Sequence, residues 1–127
     1  MKTTFMLTIL LLCQSAMSGI NSDLAREVCS WISVTDYPDA FKECRKVTAQ
    51  GDFNALAVGT CSASVFSVYD RVSCLGNIRN KRFHPNAVQI CNKMVDRSSR
   101  DWPNAMKCLS NVMEKSYTDE EIDTCEH

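Results

Sequence analysis

The sequence predicts an all-α fold, about seven short helices stacked as disulfide-linked αα-hairpin repeats. Three observations carry this reading. One eighteen-residue frame, cysteine to cysteine, occurs three times: CRKVTAQGDFNALAVGTC from Cys44 to Cys61, CLGNIRNKRFHPNAVQIC from Cys74 to Cys91, and CLSNVMEKSYTDEEIDTC from Cys108 to Cys125. In every frame an aromatic stands nine residues after the first cysteine (Phe53, Phe83, Tyr117) and a helix cap follows it (Asn54, His84, Thr118). Four residues beyond the cap comes a branched aliphatic (Val58, Val88, Ile122). That order is a hydrophobic staple, in which the residue before the cap packs on the fourth helical residue and fixes the entry of the chain. Finally, nothing reads as a strand. The β-flavoured SVFSVY before Asp70 falls where the frame requires a helix entrance.

The elements follow in order. A first helix near 22–33 carries Cys29. A second, near 37–50, opens after Asp36 with Pro38 in its first turn, where the missing N–H costs nothing, and Gly51 suits its C-terminal cap. The third, near 54–64, starts at Asn54. The fourth, near 67–81, is capped by Ser67 and Asp70. Pro85 opens the fifth, near 85–95, behind His84. The sixth, near 102–115, repeats the start of the second: DWPNAMKC rhymes with DYPDAFKEC, with Asp101 and Pro103 in the roles of Asp36 and Pro38. Thr118-Asp119-Glu120-Glu121 is a capping box opening a seventh, near 119–126. The frames recur at intervals of 30 and 34 residues. Two helices per such period is the signature of stacked αα-hairpins.

Residues 1–18 read as a secretory signal peptide and 19–127 as the cysteine-rich repeat domain. Lys2 precedes the apolar FMLTILLLC, and Ala16-Met17-Ser18 offers small residues at a cleavage site. The apolar run is about half the ~20 residues that a membrane span requires. Cys13 does not read as a lipidation site, because Leu12 precedes it where a small residue is expected. The expected location is secreted or periplasmic, with no membrane span. Of 14 basic and 15 acidic residues the leader removes only Lys2, so the domain has a net charge near −2 and no steering toward nucleic acid. Seven of the eight cysteines remain, and after export they are expected to oxidise.

Two pairings compete. One closes the constant frames, Cys44–Cys61, Cys74–Cys91 and Cys108–Cys125, and leaves Cys29 unpaired or interchain. The other joins Cys29–Cys44, Cys61–Cys74 and Cys91–Cys108, and leaves Cys125. Constant spacing is what a cross-linked hairpin would demand, so the first is favoured. Either leftover thiol could link a homodimer or form a mixed disulfide.

No metal or catalytic constellation emerges. CxxC, CxxxC and HxxxH spacings are absent, and the only histidines are the capping His84 and the terminal His127. No serine elbow, phosphate-binding glycine loop or carboxylate pair occurs. Trp31 and Trp102 are assigned to packing, and Arg79, Lys81 and Arg82 to a solvated loop. No catalytic, cofactor-binding or metal residue is therefore assigned, no cofactor is expected, and the chain is not read as an enzyme.

Cys74, Leu75, Asn77, Ile78, Lys81, Phe83, Val88 and Cys91, matched by Cys108, Leu109, Asn111, Val112, Lys115, Tyr117, Ile122 and Cys125, form a motif. It resembles cysteine-rich helical-repeat proteins exported by predatory and related Gram-negative bacteria. The first frame departs from it, with Arg45 and Thr48 at the leucine and aliphatic positions. The resemblance implies export and a helical-repeat fold, and no activity. The function expected is a small exported binding or structural module presenting a helical surface to a protein or peptide partner. The alternative is a secreted effector, toxin or enzyme inhibitor stabilised by disulfides. A concave aromatic groove would favour the module, and a protruding loop such as 79–84 the inhibitor.

Overall fold

The structure is a computed structural model that describes residues 21–63, 67–97 and 102–121. Among these residues lie six helices: α1 Ser22–Ser30, α2 Pro38–Thr48, α3 Ala55–Cys61, α4 Val68–Ile78, α5 Pro85–Arg97 and α6 Trp102–Asn111. A further helical turn begins at residues 119–121. The protein is mostly helical, as its sequence predicts. Residues 1–18, read from the sequence as a signal peptide, and Asp101, Ile122 and Cys125 lie outside the described residues.

The staples and caps form the turns that the frames require. Phe53, Phe83 and Tyr117 are all buried, and so are Val58 and Val88. Phe53, Phe83, Val58 and Val88 belong to one continuous core with Leu75, Ile78 and Leu109. Asn54 accepts a hydrogen bond from the Ala57 amide at 3.0 Å, and Ser67 accepts one from Asp70 at 3.1 Å. His84 Nδ1 accepts from the Ala87 amide at 3.4 Å, a capping role. Thr118 and Glu121 complete the capping box reciprocally, at 3.1 and 3.4 Å. The cap of α2 is a correction. Tyr37, not Asp36, occupies that position, without a side-chain cap bond, and Pro38 begins the helix.

The disulfides follow the second pairing. Cys29–Cys44, Cys61–Cys74 and Cys91–Cys108 are bonded, with Cα–Cα distances of 5.6, 5.4 and 5.7 Å. Each bridge joins the first helix of a hairpin to the second: α1 to α2, α3 to α4, α5 to α6. The pairs Cys44–Cys61, Cys74–Cys91 and Cys108–Cys125 are therefore not formed, since Cys108 is bonded to Cys91, and Cys29 is neither unpaired nor interchain. Cys125 lies outside the described residues. The constant spacing has another physical cause. Each frame contains a turn whose aromatic is held in the core and whose cap starts the next helix. Adding or removing a residue there would pull the ring out of its site. The bridged connections span separations of 15, 13 and 17 residues and are free to differ in length.

Two further expectations are corrected. A short antiparallel ribbon exists, β1 Lys81–Phe83 against β2 Met113–Ser116, with Lys81 opposite Ser116 and a register shift between Arg82 and Phe83. It forms where the second and third frame turns lie side by side. Hairpin stacking is also not uniform. The second helices of the first two hairpins, α2 and α4, pack against each other, whereas the third hairpin reaches the second through the first helices, α3 and α5. α4 and α6 do not pack as α2 and α4 do, and the ribbon lies at the end of the space between them.

Candidate binding groove

Asn80 sets the geometry of this region. It is 5 % exposed and adopts φ 61°, a left-handed conformation that asparagine tolerates better than most residues. Its amide N donates to the Asp52 carbonyl at 2.8 Å, and its Oδ1 accepts from the Asp52 amide at 2.8 Å. Its carbonyl accepts from the Tyr117 amide at 2.6 Å, and its Nδ2 donates to Asp119 Oδ1 at 2.6 Å. One side chain and its peptide groups thus tie the turns of all three frames. Arg79 reinforces the tie, with Nε donating to the Gln50 carbonyl at 2.8 Å and Nη2 to Asp119 at 2.7 Å. Gly51, at φ 113°, leaves the space for this arrangement. A Cβ there would stand 2.8 Å from both Arg79 Nε and Asn80 Oδ1.

The hydrogen bond from Asn80, and then that from Arg79, hold the Asp119 carboxyl below its ordinary value of 3.8, against a smaller opposing effect of burial. A depressed folded-state value means that the stabilisation is present above the unfolded value and is lost as pH falls through the folded one. Asp119→Asn should therefore lower the melting temperature at neutral pH and converge with wild type as pH drops below 3.8. Melting curves that differ by the same amount at every pH would show that the Asp119 charge plays no part.

With β1 pinned in this way, a groove of about 270 Å³ opens between α4, α6 and the ribbon. Ile78, Phe83, Leu109, Met106 and Met113 supply its apolar surface. Lys81, Lys107, Asn77 and Ser110 supply its polar one, and no carboxylate lines it. The basic run read as a solvated loop is thus divided among three roles. Arg79 binds Asp119, Arg82 lies 3.4 Å from Glu114 across the ribbon, and Lys81 faces the groove. Sequence reasoning missed Lys107 altogether, because only the β1–β2 pairing and the separation of α4 from α6 bring it beside Lys81.

A second exposed surface lies where α1 ends and α2 and α4 begin. Trp31, Val34 and Tyr69 are more than half exposed, and Tyr37 meets Tyr69 edge to face at 6.0 Å. Trp31 at 59 % exposure is not a packing residue, contrary to the assignment from sequence. The side chain of Trp102 lies outside the described residues. Among the described residues no group of three His, Cys, Asp or Glu side chains could hold a metal ion, and no helix is long and apolar enough to cross a membrane. No family model, curated protein or solved structure matches the chain.

Proposed function

We propose that this chain is a small exported binding module, covalently braced for an oxidising compartment, that presents the groove between α4, α6 and the ribbon to a protein or peptide partner. The observation that carries the reading is the form of residues 79–84. They are anchored: Asn80 is buried in the three-turn tie, Phe83 is 4 % exposed, and Lys81–Phe83 forms β1 beside an open groove, while Arg82 and His84 face solvent. An inhibitor acting through a projecting 79–84 loop would need its contact residues exposed, and Asn80 and Phe83 are buried. The three disulfides support the oxidising compartment, since such bonds persist outside reducing cytosol.

The test is affinity capture from the native secretome with the oxidised mature chain and with Ser110→Trp. Ser110 is an exposed residue on the groove, so a tryptophan there fills the space without entering the core. A partner retained by wild type and lost by the variant would support the reading. A partner retained equally by both, or no specific partner, would overturn the groove as the functional surface.

A further inference from the structure

We infer that the groove takes a short acidic–apolar peptide segment, its carboxylates meeting Lys81 and Lys107 and one apolar side chain seated against Met106 and Met113, the apolar lining residues that keep exposed surface. The inference rests on the reading of the chain as a peptide-binding module and names the chemistry of its partner. Charge comes first. Two cations face one groove that no carboxylate lines, and neither forms an ion pair among the described residues. The nearby acid on β2, Glu114, is already engaged by Arg82. A basic rim without internal counter-charge favours a ligand that brings its own.

Size decides the class of ligand. At about 270 Å³ the groove falls just below the ~300–1,000 Å³ of pockets that enclose a whole drug-sized molecule. It suits a side-chain anchor and its neighbours rather than an enclosed organic ligand, as peptide hot spots do. The lining fits a peptide better than an acyl chain. Asn77 and Ser110 offer amide and hydroxyl groups to a backbone, whereas an acyl chain needs a dry, continuous apolar tunnel. Met106 and Met113 are unbranched and can adjust to the seated side chain.

A random peptide phage library panned against the oxidised mature protein tests this, with selected peptides resynthesised and titrated by fluorescence anisotropy. The expected consensus places Asp or Glu beside an apolar residue. Lys81→Ala/Lys107→Ala should weaken binding about tenfold or more, while Lys81→Arg/Lys107→Arg retains it. Circular dichroism of each variant confirms an unchanged fold, since neither lysine is buried. Selected peptides that ignore the double alanine variant would overturn the inference and leave peptide binding standing at another surface, such as Trp31 and Tyr69. Failure to select any peptide would overturn the inference and leave a folded protein partner, which the capture experiment tests separately. Binding of decanoate at the groove without peptide selection would overturn the peptide assignment in favour of an acyl ligand.

Discussion

Reduction of the three disulfides among the described residues is expected to unfold the domain. They close loops of 13 to 17 residues, each contributing about 3 kcal/mol in the chain-entropy model. Together that is about 9 kcal/mol, comparable with the whole ~5–15 kcal/mol stability of an ordinary domain. The helices cannot replace it, because the longest among the described elements is 13 residues and isolated helices of that length are marginal in water. Far-UV circular dichroism in excess reductant should show loss of helicity and of the cooperative melt. A reduced protein that still melts cooperatively near the oxidised temperature would show that packing alone holds the fold. Cys61→Ala/Cys74→Ala isolates the bridge of the central hairpin and should cost about 3 kcal/mol by itself.

Asn80→Ala is expected to destabilise by about 3 kcal/mol or more. It leaves the buried Asp52 amide without its acceptor, at about 1–3 kcal/mol, and removes the donor to Asp119. It also holds an alanine at φ 61°, where a side chain unable to bond locally costs about 1–2 kcal/mol. For a domain of this size the melting temperature should fall by about 10 °C or more. Asn80→Gly separates the two contributions, since glycine accepts the backbone conformation but makes neither side-chain bond. It should lie between alanine and wild type. Equal melting of Asn80→Ala and wild type would mean that the three turns hold together without this residue.

Local chemistry was legible in the sequence wherever neighbouring residues settle the outcome. Asn54, Ser67 and Thr118 cap, Pro38 and Pro85 open helices, and Phe53 and Phe83 enter the core, because each depends on residues a few positions away. The disulfide partners were not legible, since constant spacing in the frames recorded a turn of fixed length rather than a bond. The ribbon was not legible either. KRF and MEKS are too short to show a two-residue alternation, and they pair only because Asn80 sets their turns side by side. Trp31 shows the same limit from the other direction. A tryptophan near a helix end looks like core material, yet the loop after α1 leaves it facing solvent. The groove depends on all of these at once, including the separation of α4 from α6, which no local pattern encodes.

The alternation of bridged and unbridged connections bears on survival among proteases. The connections from α1 to α2, α3 to α4 and α5 to α6 each lie inside a ring closed by its own disulfide. A cut at an exposed position such as residues 33–36 would open the backbone but release no fragment, because the pieces on either side remain joined through sulfur. The turns outside the rings are the ones held by Asn80, Arg79 and the ribbon, where a protease would first have to pull the backbone free to fit it into an active site. Severing the molecule therefore requires local unfolding at those turns, and a nick at a bridged connection would leave the two halves of its hairpin covalently tethered.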